Sequence, residues 1–508
     1  MFPTIDEVRA YAQEGRYRRV PVREELLSDR FTPVEVLRTL RANSCHCFLL
    51  ESAEQGRTWG RYSFLGCNPT TEVTCMNGTL RIREGHGGEP ASDAAAGDGQ
   101  AADEVREVAH PGPAIRKVLA RYASPQVPGM PPFAGGLVGY FSYDYIKYDE
   151  PRLRENQLAD RDFRDVDLML FDEVIVFDHL RQKVLVIAGA DLTDPDGVDA
   201  AYERAGKRIE RIIALLDSGA KAYFPPLTLH EPLTPRFSQS EYAAMVEKAK
   251  HYIHEGDIFQ VVLSNPLTAA AEGSMLDVYR VLRTTNPSPY MFYFVSDDIE
   301  IAGASPETLA RLENGRVETF PLAGTRPRGA TAAEDEQLER DLLSDEKELA
   351  EHNMLVDLGR NDLGRICELG SVHVDQYLTI HRFSHVMHIG SEVSGTLRAD
   401  RDAVDAVDAI LPAGTLSGAP KLRACEIIQE LEGAKRGIYG GAVGYLDFTG
   451  NLDTCISIRL AYKKDGRVCV QSGAGIVADS NPASEYAECR NKARAICQAI
   501  EAAEGGIR

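Results

Sequence analysis

The sequence has few of the features that would place a protein in a membrane or on a nucleic acid. No uninterrupted apolar run approaches the roughly 18 to 20 residues that a membrane helix needs. The apolar core of a signal peptide is absent from the opening segment MFPTIDEVRAYAQEGRYRR. Lys and Arg number 56 against 77 Asp and Glu, a formal charge of −21. Because so acidic a surface repels phosphate backbones and anionic lipids, we expect no nucleic acid and no membrane as partners.

Paired cysteines and several common motifs are also missing. The 10 cysteines are scattered, with no Cys-x-x-Cys pair and no zinc-finger spacing. We interpret them as buried, reduced thiols of a cytoplasmic protein. The chain has no GxGxxG fingerprint, no GxxxxGK[ST] loop and no GxSxG elbow. The sequence therefore gives no support for nucleotide-dependent chemistry or covalent hydrolysis.

Two shifts in composition indicate how the chain is organised. Residues 84–109 are rich in Gly, Ala, Asp and Glu and lack apolar periodicity, which is typical of a disordered surface loop. Prolines interrupt any helix between Asp217 and Ser240, so we expect this segment to connect two halves. We place the N-terminal region at 1–225 and the C-terminal region at 226–508.

The two halves repeat each other in sequence. An Asn-Gly pair between alternating apolar runs, which predicts a tight hairpin, follows GCNP (66–69) and, at the same spacing, GASP (303–306). A second match joins GGLVGY (135–140) to GGAVGY (440–445). Two matches in the same order favour a duplicated β framework.

Helical apolar spacing appears mainly in the C-terminal half. It covers residues 334–357, 402–432 and 484–502. No strand–helix–strand alternation accompanies it. The predicted fold class is therefore α+β, with antiparallel β-sheets and helices packed outside them.

Two Glu-x-x-Glu pairs are candidates for a metal site. Glu348 and Glu351 form the first pair, and Glu485 and Glu488 form the second. Residues three apart share one face of a helix, so each pair projects two carboxylates in one direction. Opposed across a cleft, the pairs suit Mg²⁺, a hard cation that retains waters and accepts a substrate carboxylate. A single such pair in an acidic protein is more often a solvated helix face, so the spacing alone establishes no metal site.

Two glycine-containing segments are candidates for binding an anion. The first, PLAGTRPR, is a rigid turn that includes Gly324 and Thr325, and the second is Gly473–Gly475. In the second, backbone N–H groups can approach an anion closely. Ordinary turn chemistry explains both segments equally well.

Arg459 and a histidine cluster are further candidates. Arg459 lies among apolar neighbours, and a buried arginine needs a counter-anion, either a structural carboxylate or a substrate. The cluster of His381, His385 and His388 offers an acid or a base, although a histidine in such a place is more often a hydrogen-bonded core residue.

Taken in order, these segments resemble the chorismate-utilising enzymes. The similar segments, between about Ser240 and Ala499, are PLAGTRPRG, LGRNDLGR, LPAGTLSGAPK, GGAVGY, LDTCISIR, SGAGIVADS and EYAECRNKA. Within this family, LLES (49–52) and NPSPYMFYF (286–294) resemble the anthranilate synthase component I group. The resemblance implies an α/β sandwich of two intertwined, pseudo-duplicated subdomains with a central cleft, and an active site in the C-terminal part.

The resemblance also implies roles for individual residues. Glu351 and Glu488 match the Mg²⁺ ligands, and Glu348 and Glu485 match supporting carboxylates that hold metal-bound water. The positions that match chorismate-binding residues, or lie beside them, are Gly324, Thr325, Thr415, Tyr439, Arg459, Gly473, Ala474, Gly475 and Lys492.

The implied reaction is the first committed step of tryptophan biosynthesis. It adds ammonia at C2 of chorismate while the C4 hydroxyl leaves, and then eliminates pyruvate to give anthranilate. Glu307 matches the group that protonates the departing hydroxyl, which requires a raised pKa. His388 matches a histidine linked to leaving-group and elimination chemistry. Related enzymes carry reactive lysines where this chain has Ala323 and Gln260, which favours free ammonia as the nucleophile.

Regulation and a partner subunit are implied as well. The positions that resemble an inhibitory tryptophan pocket are Glu51, Ser52, Pro289, Tyr290 and Met291, although ordinary core packing is the alternative. The chain lacks an N-terminal cysteine and a Gly-x-Cys-x-Gly elbow, so we expect a glutamine amidotransferase subunit (component II) to supply ammonia, in a heterotetramer of two of each subunit. The alternatives are a free-standing ammonia-dependent enzyme, the component I of aminodeoxychorismate synthase and a non-catalytic tryptophan-binding module.

Overall fold

Two antiparallel β-sheets packed face to face form the centre of the molecule, and helices cover their outer faces. The arrangement is seen in a computed structural model that describes residues 1–52, 60–85, 103–155, 162–382 and 386–507. It confirms the predicted α+β class and the sandwich that the resemblance implied.

The described strands are numbered in chain order. They are β1 Arg19–Leu27, β2 Cys47–Glu51, β3 Tyr62–Cys67, β4 Thr71–Met76, β5 Thr79–Glu84, β6 Asp103–Glu107, β7 Gly136–Phe141, β8 Val166–Phe171, β9 Glu173–Asp178, β10 Lys183–Asp191, β11 Thr228–Leu229, β12 Thr234–Pro235, β13 Gln260–Glu272, β14 Tyr290–Val295, β15 Ile299–Ser305, β16 Thr308–Glu313, β17 Arg316–Thr319, β18 Leu322–Pro327, β19 His373–Arg382, β20 Val386–Thr396, β21 Gly418–Ala419, β22 Ala442–Asp447, β23 Leu452–Ile456, β24 Leu460–Lys464 and β25 Arg467–Ile476.

The described helices include those predicted over 334–357, 402–432 and 484–502. They are α1 Ile5–Gln13, α2 Pro33–Asn43, α3 Gly112–Ala120, α4 Arg152–Glu155, α5 Val198–Ser218, α6 Gln239–His254, α7 Leu276–Thr285, α8 Ala332–Ser344, α9 Glu346–Gly364, α10 Ala403–Ile410, α11 Lys421–Glu432 and α12 Pro482–Ala503.

Each sheet is nearly symmetric about its middle, which confirms the duplicated framework. The first sheet has the order β1-β10-β9-β3-β2-β14-β15-β24-β25-β13-β11, so β2-β3-β9-β10-β1 on one side of the β2–β14 pair corresponds to β14-β15-β24-β25-β13 on the other. The second has the order β18-β20-β17-β16-β23-β22-β7-β8-β4-β5-β6, centred on the β22–β7 pair. Because both halves contribute strands to both sheets, the two repeats are intertwined.

The matched sequence motifs lie at equivalent positions in the two repeats. The predicted hairpins join β4 to β5 and β16 to β17, with positive φ at Asn77 (52°) and Asn314 (54°). In the two GGxVGY segments, Gly139 pairs with Gly444 at the junction of the halves. A Cβ would lie 1.9 Å from the Asp167 carbonyl oxygen at Gly139 and 2.0 Å from that of Asp453 at Gly444, so neither position accommodates a side chain.

Side chains alternate between two kinds of core along the central strands. On β2, Cys47 and Leu49 join the core under α2, α5, α7 and α12, whereas Phe48 points into the aromatic core between the sheets. The Phe48 and Phe171 rings lie 4.7 Å apart between centroids. A further core packs α3, α9 and α10 on the second sheet. These layers hold the site described below in a rigid frame.

Two ion pairs, each with a buried carboxylate, cross from one half to the other. Arg41 on α2 contacts Glu300 on β15 at 3.2 Å, and Arg283 on α7 contacts Glu51 on β2 at 2.9 Å. The helices α2 and α7 occupy equivalent places in the repeat, so each half sends an arginine to a carboxylate of the other. Because Glu51 and Glu300 are buried, removing either arginine would weaken the compensation of a buried carboxylate.

The expectation for residues 84–109 needs one correction. Asp103–Glu107 forms β6, an edge strand paired with β5, instead of belonging to a disordered loop. Residues 86–102 lie outside the described residues. The proline-containing connection between 217 and 240 carries only the short strands β11 and β12 between α5 and α6, as the prolines predict.

Two further features concern the chain as a whole. No helix among the described residues combines the length and apolarity needed to cross a membrane. The 10 cysteines are free thiols, and of these only Cys45 is exposed.

Candidate active site

The residues implicated in substrate and metal binding converge in the C-terminal half, around the end of β25. The helix α12 packs against β25, and α9 packs against β18 and β20. A Cβ placed on Gly475 of β25 would lie 3.9 Å from Glu351 Oε1 of α9. Strand β25 therefore forms the floor of the candidate site, with α9 and α12 beside it.

Side-chain caps fix where the two acidic helices begin. Asp345 accepts hydrogen bonds from the backbone N–H groups of Lys347 and Glu348 at the start of α9. Asn481 does the same for α12, whose first turn contains Glu485. Each Glu-x-x-Glu pair consequently lies in the first or second turn of its helix.

The four carboxylates are close enough to influence one another. Burial raises the pKa of Glu351, and the charges of Glu348 and Glu488 raise it further. Burial also raises the pKa of Glu485, with a smaller contribution from Glu488. Glu351 on α9 and Glu488 on α12 therefore lie near each other, which is consistent with the predicted opposition of the two pairs.

Neighbouring cations hold two of these carboxylates. Arg326 lies 3.1 Å from Glu348 and 2.7 Å from Asp345, while Lys492 lies 2.8 Å from Glu488. Gln260 Nε2 donates a hydrogen bond to Glu351 Oε1 at 3.1 Å. Binding a cation between the pairs would therefore require Glu348 and Glu488 to exchange these partners for it.

The four glutamates are not preassembled as a tight metal cage. Among the described residues, three ligating side chains with atoms within 4.8 Å of one another occur only at His46, Glu72 and Asp297. Arg83 lies 3.1 Å from both Glu72 and Asp297, so that cluster is already neutralised.

The glycines of the floor allow close approach to the backbone. A Cβ on Gly473 would lie 3.1 Å from Tyr439 Oη, and one on Gly475 would lie 2.5 Å from Gln260 Nε2. Strand β25 pairs with β13 here, whereas its pairing with β24 ends at Val470. Backbone amides on the second edge of Gly473–Gly475 thus face no described strand and are placed to receive an anion.

Arg459 contributes a half-buried cation beside this floor. It has φ of 53° between β23 and β24, and its guanidinium donates to the carbonyl oxygen of Lys492. Burial lowers the pKa of Arg459, and no described carboxylate lies within ion-pair distance. Of the two counter-anions that the sequence left open, a structural carboxylate is therefore not found among the described residues, and a bound anion fits.

Glu307 is a buried carboxyl group at the end of β15. Thr415 Oγ1 donates to Glu307 Oε1 at 3.1 Å. Burial raises the pKa of Glu307 to about 8, although the Thr415 hydrogen bond and Lys492 act to lower it. At neutral pH this group is a carboxylic acid, which is the state that a proton donor requires.

His388 is held by the neighbouring strand β18. Its Nδ1 lies 2.9 Å from the Gly324 carbonyl oxygen and 3.1 Å from Thr325 Oγ1. Since a carbonyl only accepts, the hydrogen bond assigns the proton to Nδ1. Burial lowers the pKa of His388, so the imidazole is neutral at pH 7. His381 pairs with His388 across β19 and β20, and His385 lies outside the described residues.

Gly324 brings this strand close to the acidic helix α9. It has φ of 65°, and a Cβ there would lie 3.2 Å from Glu348 Oε2. Any other residue would combine a left-handed backbone with crowding of that carboxylate.

The five residues of the expected regulatory pocket line one cavity, of about 130 Å³, in the inter-sheet region. Strands β2 and β14 bring them together by pairing Glu51 with Met291. Phe64, Phe292 and Tyr445 give the cavity apolar walls. Ser52 Oγ is buried and has no hydrogen-bond partner among the described residues, whereas Glu51 accepts bonds from Arg283, Tyr279 and Ser63.

Sequence reasoning missed the groups that restrain the carboxylates. The sequence predicts only a turn at Arg326, and at Gln260 it shows only that the lysine of related enzymes is absent. The signal for Arg326 was present, because its segment PLAGTRPR had already been singled out. Nothing in the sequence indicated that Gln260 reaches Glu351, since the two lie 91 positions apart.

Comparison with known proteins identifies the family of the chain. A family model described as chorismate binding enzyme matches residues 32–498. Anthranilate synthase component 1 of Acetivibrio thermocellus is 46% identical over 517 residues, covering 100% of both chains. That of Aquifex aeolicus is 43% identical over 506 residues, covering 99% of this chain and 98% of the relative.

Solved structures show the same relationship. Anthranilate synthase component I from Streptococcus pneumoniae superposes with a TM-score of 0.72 at 36% identity, over 93% of this chain and 99% of that one. The menaquinone-specific isochorismate synthase of Escherichia coli, at 18% identity and a TM-score of 0.68, shares the fold. The chain therefore belongs to the family of chorismate-binding enzymes. The Acetivibrio thermocellus and Aquifex aeolicus relatives are both named anthranilate synthase component 1.

Proposed function

We propose that this chain is the chorismate-converting component of an anthranilate synthase, which forms anthranilate and pyruvate from chorismate and ammonia. The full-length relatives carry that name. The observation that carries the proposal is the position of Arg459, a half-buried cation without a described ion-pair partner, near the two carboxylate pairs. Such a site suits an anion that arrives with a metal ion.

Chorismate is a dianion, so each carboxylate needs positive charge in this acidic protein. Arg459 and the amides of Gly473–Gly475 would bind one carboxylate. Mg²⁺, when bound, supplies the charge for the other. The hard oxygen donors of Glu351 and Glu488 fit Mg²⁺, with Glu348 and Glu485 holding its waters. The raised pKa of Glu351 supports this assignment, because burial and the neighbouring carboxylates both disfavour its charge and a bound cation would stabilise it.

Glu307 and His388 would move the protons. The protonated Glu307, held by Thr415, donates to the C4 hydroxyl as it leaves while ammonia adds at C2. The neutral His388, fixed at Nδ1 by Gly324, is placed to serve the elimination of pyruvate. Tyr439, Thr325 and Lys492 would complete the walls around the substrate.

Ammonia as nucleophile is supported by the residues at two positions. Ala323 leaves no amine of the protein to attack the ring, and Gln260 cannot act as a base on water. Gln260 instead holds Glu351. Mass spectrometry of the product formed from chorismate and ammonium tests this proposal: anthranilate supports it, and a product that retains an amine at C4 indicates aminodeoxychorismate synthase.

The inter-sheet cavity would bind tryptophan as a feedback inhibitor. The unpartnered Ser52 Oγ supports this, since a buried hydroxyl normally has a hydrogen-bond partner. Pro289, Tyr290 and Met291 would cover the indole ring.

A glutamine amidotransferase subunit would deliver the ammonia, with two of each subunit in the assembly. Cys45, the exposed cysteine, lies 3.6 Å from His46 Nδ1, but that histidine is unsuited to activate it. Although burial opposes protonation, Asp297 and Glu72 raise the pKa of His46 overall, so the ring tends to hold its proton instead of accepting one. Phe259, 74% exposed beside Gln260, offers an apolar contact for the partner near the candidate site.

The partner proposal is tested with the purified chain alone. We expect anthranilate from ammonium at mildly alkaline pH and none from glutamine. Glutamine-dependent product without a second polypeptide would contradict it. The free thiols suit a reducing compartment, and we place the enzyme in the cytoplasm.

A further inference from the structure

A cleft between α2 and α7, remote in sequence from the candidate active-site residues, is lined by four basic side chains. It has a volume of about 530 Å³. Its cations are Arg38, Lys221, Arg280 and Arg283. Such a concentration of positive charge stands out in a protein with a formal charge of −21.

Three of these cations have carboxylate partners. Lys221 pairs with Glu35, which also lines the cleft. Arg280 contacts Asp277 at 2.7 Å. Arg283 contacts Glu51 at 2.9 Å. These ion pairs neutralise three of the four cations, and Arg38 is the fourth.

Arg38 is the exception. It forms no ion pair with the described residues, and its buried Nε has no hydrogen-bond partner among them. A buried donor without a partner costs free energy, so native proteins rarely retain one without a reason. The Nη1 and Nη2 atoms of Arg38 also have no hydrogen-bond partner among the described residues but are not buried, so they are available to an anion in the cleft.

The duplication of the fold sharpens this point. The segments EVLRTLR of α2 and DVYRVLR of α7 place Arg38 and Arg280 at equivalent positions, followed by Arg41 and Arg283. Arg41 and Arg283 make the ion pairs that cross between the halves. The outer arginines, Arg38 and Arg280, have no such structural task, yet both line the cleft.

We propose that this cleft binds a small polyanion carrying phosphate or carboxylate groups, with Arg38 and Arg280 as its principal ligands. The planar guanidinium donates two parallel hydrogen bonds to either kind of oxyanion. The volume lies within the range of about 300–1,000 Å³ usual for small-molecule sites. The cleft is separate from the candidate active site, because none of its lining residues belongs to that site, although Arg283 contacts Glu51 of the proposed tryptophan cavity.

Titration calorimetry of the full chain at constant ionic strength tests the proposal, with inorganic pyrophosphate and citrate as probes. We expect saturable binding of at least one probe, weakened at least tenfold by Arg38→Gln and by Arg280→Gln. Binding of pyrophosphate alone would identify a phosphate ligand, and binding of citrate alone would identify a carboxylate ligand. Competitive binding of both would show that the cleft recognises the oxyanion chemistry that they share. The matched control is Arg401→Gln on the opposite helix layer, where Arg401 pairs with Asp405 and the charge change is the same.

Three results would overturn the proposal: no saturable binding to the wild type, wild-type affinity in both cleft variants, or equal weakening by Arg401→Gln. Thermal unfolding without probe shows whether each variant folds. If Arg38→Gln does not fold, Arg280→Gln and the conservative Arg38→Lys carry the test.

Discussion

The two repeats share one β framework but differ in one helix. This helix follows a long strand of the first sheet, which is β10 in the N-terminal repeat and β25 in the C-terminal repeat. In the N-terminal repeat β10 leads into α5, where Arg208 lies 2.7 Å from the buried Asp172. In the C-terminal repeat β25 leads into α12, which begins instead with Glu485 and Glu488. One helix neutralises a buried charge, and the other adds negative charge to the candidate site. The framework thus carries a neutralised buried charge in one half and the candidate binding site in the other.

A second difference is the material inserted after the repeated hairpin. Between β17 and β22 the C-terminal repeat contains α8 to α11, which supply the carboxylates of α9 and the turn with Thr415. Between β5 and β7 the described part of the N-terminal repeat contains only β6 and α3. The proposed chemistry therefore depends on inserted elements, and the duplicated strands position them.

Loss of the proposed metal ligands should have the largest effect. We expect Glu351→Gln or Glu488→Gln to lower kcat at least about 10³-fold, since a metal ion contributes several kcal/mol of charge stabilisation. Anthranilate fluorescence in ammonium measures the rate, and circular dichroism checks the fold. Glu203→Gln, an exposed position on the equivalent helix α5, is the matched control and should keep full activity. Variants with wild-type rates and unchanged Mg²⁺ dependence would disprove the metal assignment.

Glu307→Gln should lower kcat about 10²- to 10⁴-fold, the usual contribution of a general acid. Because the pKa of Glu307 is about 8, its acid form is lost as the pH rises through 8. The kcat of the wild type should therefore fall on the alkaline limb of its pH profile. Exposed Glu313→Gln is the control. A wild-type profile without an alkaline limb would contradict this role.

The same substitution should stabilise the fold. Between the usual value of 4.5 and about 8, native Glu307 keeps a proton that the unfolded chain releases, so stability falls as pH rises across this range. Glutamine does not ionise, so the variant should gain up to about 3 kcal/mol at pH 7 and little at pH 4. Thermal unfolding at both pH values measures the difference, and a gain independent of pH would refute the raised pKa.

Arg459→Lys should raise KM for chorismate about 10- to 100-fold, because lysine cannot reproduce the two-pronged hydrogen bonding of a guanidinium. Steady-state kinetics measure it, with Arg467→Lys, on the exposed end of β25, as control. An unchanged KM would show that Arg459 does not contact the substrate.

Ser52→Phe tests the N-terminal half and should affect regulation alone. We expect the tryptophan concentration for half-inhibition to rise at least tenfold while the uninhibited rate stays within twofold. The reason is that the larger side chain fills a cavity of only about 130 Å³. Ser218→Phe, exposed at the end of α5, is the control. Unchanged inhibition would place the tryptophan site elsewhere.

Much of the framework could be predicted because its signals are local. Asn-Gly at 77 and 314 requires a left-handed turn, and the repeated glycines at 139 and 444 mark close backbone approach. Strand β6 was missed because every residue of Asp103–Glu107 is exposed, so the edge strand shows no apolar alternation.

The site was predictable in its residue types but not in its contacts. The Glu-x-x-Glu spacing identifies shared helix faces, yet pairing of Glu348 with Arg326 and of Glu351 with Gln260 depends on how β18, β13 and α9 meet. Such contacts join positions far apart in the chain, and no local pattern encodes them. Likewise, the sequence shows that Arg459 has apolar neighbours but not that it lacks a carboxylate partner among the described residues.

The most direct test of the central claim uses the purified chain with chorismate, ammonium and a Mg²⁺ titration, followed by anthranilate fluorescence and a pyruvate assay. The account predicts equal amounts of anthranilate and pyruvate, with a rate that saturates in Mg²⁺ and vanishes when the metal is chelated. Anthranilate formed at the same rate in chelator, or chorismate consumed without anthranilate, would contradict it.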